Sequence, residues 1–108
     1  MESSKRRRPT VSPVVFKGLR FEALRRPRDH GSAQSGGALA AFDEKSNKYL
    51  WGVQLYTTVF DEREERDVQE VYIKELSVSA GVDAVLATDE LDRRWSVDIV
   101  THEVTPAR

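Results

Sequence analysis

The side chains able to do chemistry in this chain are two histidines, His30 and His102, a dense set of carboxylates and several clusters of cations. Neither histidine has a second His, a Cys or a repeated carboxylate at the spacing that builds a metal site, so no metal or cofactor is expected. Ser32 and Ser35 stand beside glycines. No strand-turn-helix elbow surrounds them and no base lies near them, which argues against a nucleophilic serine. Asp61, Glu62, Glu64, Glu65, Asp67 and Glu70 form the densest acidic group. A central glycine and ordered oxygen ligands at calcium-loop spacing are missing, so the group reads as a solvated acidic loop that could meet a basic surface or hold a divalent cation loosely.

The cations are distributed unevenly. Residues 1–30 hold nine Lys or Arg against three Asp or Glu, and the remainder holds eight against fifteen, so a net charge of −1 conceals a basic beginning and an acidic remainder. Lys5, Arg6, Arg7 and Arg8 form one polyanion-contact candidate, and Arg25, Arg26 and Arg28 form a second basic cluster. Aromatic residues interleaved with such cations would favour single-stranded nucleic acid, but Phe16 and Phe21 read as packing residues.

The elements that must position these groups follow from apolar periodicity. With 39% hydrophobic and 32% charged residues, a chain of 108 residues is apolar enough to fold and has the size of one domain. No stretch approaches the roughly 18 to 20 apolar residues of a membrane helix, residues 1–10 lack a secretory hydrophobic segment, and there is no cysteine. These features fit a cytoplasmic location and a fold held by packing alone.

Residues 1–12 read as a disordered basic tail, 13–104 as a single β domain and 105–108 as a disordered C-terminus. Within the domain, VVFKGLRFEAL predicts a strand pair, or one bent strand, turning at Gly18. Arg25–Gly37 lacks any period and is a long loop, the class that often carries function. The clearest hairpin joins Ala38–Asp43 to Tyr49–Phe60 through a turn at Glu44–Asn47. In its second arm Trp51, Val53, Leu55, Thr57 and Val59 share the core-facing phase. Val68–Val78 changes phase, which a bulge near Lys74 and Glu75 would correct. Ser79–Asp83 is a turn around Gly81, and AVLAT with RWSVDIV forms a last hairpin through Asp89–Arg93. No sustained helical period occurs, although residues 61–70 could hold one helical turn. The expected fold is all-β: a six- or seven-stranded, mostly antiparallel meander forming a small sandwich or a partly open barrel.

GALAAFDEKSNKYLW resembles one repeat of quinoprotein-type β-propeller blades, carried by Gly37, Leu39, Ala41, Asp43, Asn47 and Trp51. Asn47 stands where that repeat usually has Gly, and the motif occurs once. Over residues 36–99, GG-LAA-D, LW, VQLY, DVQEVYI and W-VD are similar to short uncharacterised bacterial β proteins, a resemblance that implies the strands and no catalytic residue. From the residues themselves, Asp43 is expected to cap its turn through its carboxylate and Trp51 to fill the core.

The function these features favour is a non-enzymatic binding or protein-interaction module. Its recognition surface would be the Arg25–Gly37 loop with Arg25, Arg26 and Arg28, the acidic loop with Asp61, Glu62, Glu64 and Glu65, or an exposed strand edge, and its partner another protein or a second copy of the chain. The alternatives are a nucleic-acid accessory protein using the basic arm and a carboxylate-based hydrolase.

Overall fold

A computed structural model describes residues 10–24, 36–56 and 71–107. It is all-β, with eight strands among these described residues: β1 (Val14–Phe16), β2 (Leu19–Ala23), β3 (Ala38–Asp43), β4 (Tyr49–Gln54), β5 (Ile73–Ser79), β6 (Ala84–Asp89), β7 (Arg94–Asp98) and β8 (Val104–Ala107). They form two four-stranded sheets in sequential order, β1-β2-β3-β4 and β5-β6-β7-β8, with every neighbouring pair antiparallel. The expected meander is present, but as two separate sheets and not a closed barrel. Among the described residues no helix is long and apolar enough to cross a membrane.

The strand count exceeds the six or seven expected because Val104–Ala107 pairs with β7, reaching into the stretch read as a disordered C-terminus. Pro106 argues against a strand in the sequence, since it has no N–H for a ladder. At the sheet edge that deficit is harmless, because the outer side of an edge strand needs no partner.

Local chemistry explains the turns. Lys17 and Gly18 both take positive φ, 54° and 77°, the two-residue turn whose twist matches the strands it joins. The bulge expected near Lys74 and Glu75 is present, with the β5–β6 register shifting between Ile73 and Glu75. That slip returns Leu76 to the side of Ile73, and both are buried.

Inward residues line up in rows. Val14, Phe21, Ala41 and Trp51 are successive partners across the first sheet, and Val78, Val85, Val97 and Val104 across the second. The two sheets share one apolar core built on Phe21, Leu39, Ala41, Leu76, Val85, Ala87 and Val97, with Leu55, Tyr56 and Ile73. β4 has the expected phase, Trp51 and Val53 lying deeper than Leu50, Gly52 and Gln54. The structure corrects the depth expected of Trp51, however: it is half-buried, as is Trp95 of β7, and both pack on the margin of the core. Trp51 meets Phe21 edge-on at 6.1 Å and stacks on His102 at 3.8 Å.

The molecule has two distinct ends. At one, the turns at Lys17-Gly18, 44–47, 80–83 and 99–103 gather; Lys17 reaches Asp83 across the sheets at 2.9 Å, and the Glu44 N–H donates to the Gly18 carbonyl at 3.1 Å. At the other, Leu24, Gly36, Tyr56 and Val71, the described residues flanking 25–35 and 57–70, lie with the Asp89–Arg93 turn. A Cβ on Gly36 would sit 2.8 Å from the Val71 carbonyl oxygen, so only glycine permits that approach.

Phe21→Ala should cost about 3–5 kcal/mol in urea melts, as truncation of a sealed aromatic does. Trp51→Ala should cost less, because the Trp51 ring keeps solvent contact in the folded state. Equal losses for the two variants would contradict this division between centre and margin.

Candidate functional site

The Asp89–Arg93 turn is the most heavily bonded polar site in the described residues. Asp89 ends β6, residues 90–92 form the loop, and Asp92 takes the left-handed φ of 63° that brings the chain back into register. The Asp89 N–H donates to the Arg93 carbonyl at 3.0 Å, and the Asp92 N–H donates to the Asp89 carbonyl at 2.9 Å. The Asp89 side chain is 0% exposed. Its Oδ1 accepts from the backbone N–H groups of Leu91 (2.8 Å) and Arg93 (3.0 Å), and its Oδ2 accepts from Arg93 Nε (2.7 Å) and Trp95 Nε1 (3.1 Å).

Burial is the largest single influence on this carboxyl and pushes its pKa up. Hydrogen bonds from Trp95, from the backbone and side chain of Arg93 and from Leu91 together outweigh it and hold the group below the usual aspartate value. The ionised form is thus the stable one even though the group is sealed from water.

Arg93 is held from three sides. Besides the bond to Asp89, its guanidinium carbon lies 5.0 Å from the Tyr56 ring centroid and 5.5 Å from that of Trp95, and the two rings are themselves 5.5 Å apart. Tyr56 follows β4 and Trp95 belongs to β7, so this cluster spans the two sheets. The Tyr56 hydroxyl donates to the Val71 carbonyl. Glu90 and Tyr72 exchange bonds, Tyr72 N–H to Glu90 Oε1 at 3.0 Å and Glu90 N–H to the Tyr72 carbonyl at 2.9 Å.

Asp43 and Asp98 are half-buried counterparts of the same device. Asp43 Oδ1 accepts from the N–H groups of Lys45 and Ser46, both at 2.9 Å, as expected of its turn. Asp98 Oδ1 accepts from Val100 (2.8 Å) and Thr101 (2.9 Å). Four residues after each aspartate the chain turns left-handed, at Asn47 (φ 62°) and His102 (φ 66°). The backbone bonds from Ser46 and Lys45, and from Thr101 and Val100, lower the pKa of Asp43 and Asp98 respectively. Perturbed carboxylates often mark catalytic sites. Here each shift is explained by a turn that the carboxylate closes.

His102 therefore serves as a turn residue whose ring covers Trp51. Among the described residues no group of three or more His, Cys, Asp or Glu could hold a metal. The sequence candidates Lys5, Arg6, Arg7, Arg8, Arg25, Arg26, Arg28, Asp61, Glu62, Glu64 and Glu65 lie outside the described residues, as do His30, Ser32, Ser35 and the helical turn considered for 61–70. What the structure does show is that both internal segments containing these candidates depart from the end that carries Arg93. Arg93 itself escapes a periodicity reading; the signal that would have found it is the spacing Asp89, Arg93, Trp95 across a three-residue hairpin loop.

No protein-family model matches the chain, and no curated protein or solved structure matches it significantly.

Asp89→Asn would place an amide donor against Arg93 Nε and Trp95 Nε1 and should cost about 3 kcal/mol, in the range of charge-assisted hydrogen bonds that are lost without replacement. A loss within about 0.5 kcal/mol of the parent, the level of an ordinary surface change, would contradict the assignment. Because the pKa values of Asp43, Asp89 and Asp98 are all lowered on folding, the stability they contribute is complete above the unfolded aspartate pKa of about 3.9 and is lost as pH falls through their folded values. Melts from pH 7 to pH 2 should show that acid loss, and Asp89→Asn should show a smaller one.

Proposed function

We propose that the chain is a non-enzymatic protein-interaction module on a small two-sheet scaffold, recognising its partner at the end from which segments 25–35 and 57–70 depart. The observation that carries this reading is the convergence of their flanking residues on one braced platform. Gly36 approaches the Val71 carbonyl too closely for any side chain, Tyr56 is tied to Val71, and Tyr72 is tied to Glu90. Segments anchored to a rigid framework at one end are the usual carriers of recognition in β folds. In this chain they carry Arg25, Arg26 and Arg28 on one segment and Asp61, Glu62, Glu64 and Glu65 on the other, opposite charges suited to a partner of mixed charge. Leu91, 61% exposed at the tip of the neighbouring turn, adds an apolar contact at the same end.

Three carboxylates with lowered pKa values close turns, which favours binding over carboxylate-based hydrolysis. A nucleic-acid accessory role through Lys5, Arg6, Arg7 and Arg8 is supported by the charge of the first 30 residues.

A photoreactive amino acid placed at Leu91, and separately at Val100 on the opposite end, tests the reading in full-length protein mixed with lysate of its own cells. The expected result is a discrete adduct from position 91, sensitive to protease and resistant to nuclease, with none from position 100. Equal adducts from both positions would contradict the choice of end, and nuclease-sensitive adducts would favour the basic-arm alternative.

A further inference from the structure

Among the described residues two arginines lie over aromatic rings, and they are satisfied to different degrees. Arg20 lies 5.0 Å from the Phe42 centroid, and all three of its nitrogens find acceptors: Nε on Glu22 at 2.5 Å, one Nη on Glu44 at 3.4 Å and the other on Asn47. Arg93 is oriented at least as firmly, by Tyr56, Trp95 and the sealed Asp89 carboxylate, yet only its Nε has an acceptor among the described residues. Its side chain keeps 46% of its surface exposed. The guanidinium is thus held by its Nε and by the two rings it lies over, and Nη1 and Nη2 keep their donors.

We infer that Arg93 is an anchor for a carboxylate of the partner, an Asp or Glu side chain received end-on by Nη1 and Nη2; this rests on the reading that recognition occurs at this end of the fold. A guanidinium edge offers two parallel N–H groups at the spacing of two carboxylate oxygens. Pre-orientation removes most of the side-chain entropy that an exposed arginine loses on binding. The aromatic faces also keep the cation from folding back onto the surface.

The surrounding charge selects carboxylate over phosphate. Asp89, Glu90 and Asp92 lie on the same turn, and Lys74 pairs with Asp92, so one unit of positive charge on Arg93 stands among three carboxylates and one neutralising lysine. A carboxylate brings a single negative charge to the fork, whereas a dianionic phosphate concentrates two there and meets stronger repulsion. Arg94, the next residue, is exposed and adds cationic attraction at the margin.

Side-chain NMR of the arginine N–H groups in the intact, isotope-labelled protein tests the site directly. The probes are an acetylated, amidated tri-glutamate peptide, the matching tri-glutamine peptide and inorganic phosphate, at equal ionic strength. Saturable shifts of the Arg93 Nη resonances with tri-glutamate, absent with tri-glutamine and weaker with phosphate, are expected. Arg93→Lys, which retains the charge beside Asp89, should weaken tri-glutamate binding, read from the backbone amide shifts of the Asp89–Arg93 turn, by about threefold to tenfold because the fork is gone, with unchanged backbone amide positions in β2 and β3 confirming the fold.

Arg93 resonances unmoved by tri-glutamate up to about 200 mM, beyond the dissociation constants of roughly 6–80 mM that a single charge-assisted pair gives, would overturn the proposal. So would phosphate shifts equal to or larger than those of tri-glutamate. The two readings fail separately. Peptide shifts confined to Arg25, Arg26 and Arg28 would remove the Arg93 anchor and leave recognition at this end standing. A response at Arg93 without an adduct at position 91 would leave Arg93 as a carboxylate-binding group and remove the interaction reading on which its role as a partner anchor rests.

Discussion

A carboxylate with no exposed surface, Asp89, is the constraint on which the loop-bearing end of this protein depends. Taking an ion out of water costs several kcal/mol, and the charge persists only where donors replace the lost solvent. Asp89 meets that condition with four N–H groups, two from its own turn and two from the side chains of Arg93 and Trp95. The consequences propagate outward. Arg93 is placed over Tyr56, Tyr56 bonds to Val71, and Glu90 fixes Tyr72, so one buried charge orders the residues that flank the two internal segments.

The same chemistry recurs at lower cost where water remains. DEKSNK at residues 43–48 and DIVTHE at 98–103 run an aspartate, two intervening residues, a hydroxyl residue and a left-handed residue. In each, the hydroxyl accepts from the following N–H, Lys48 to Ser46 Oγ at 3.3 Å and Glu103 to Thr101 Oγ1 at 3.2 Å. A histidine at a left-handed position is uncommon, since a Cβ there crowds the backbone. At His102 the stack on Trp51, which joins the two sheets, offers an offsetting gain.

Much of the fold was legible because short-range rules acted without opposition. Gly18 marked a hairpin, Asp43 marked a capped turn, and the phase change around Lys74 and Glu75 marked a bulge, each a local backbone requirement with few residue types that meet it. The eighth strand was not legible, because Pro106 signals a break and only its edge position makes it acceptable. The depth of Trp51 and Trp95 was not legible either, since alternation gives the side of a sheet and not the distance to its margin. The Arg93 cradle required knowing that Tyr56, 37 positions earlier in the chain, lies against Trp95. Pairing between sheets leaves no periodic mark on either partner.

Whether Asp89 is ionised in its sealed site is open to direct observation. Carboxyl carbon NMR of the intact protein across acid pH should show Asp89 titrating below the ordinary aspartate value of 3.8, because its four donors outweigh its burial. A midpoint at or above that value would mean that desolvation outweighs the four donors and that ionisation of Asp89 adds nothing to the stability of the fold.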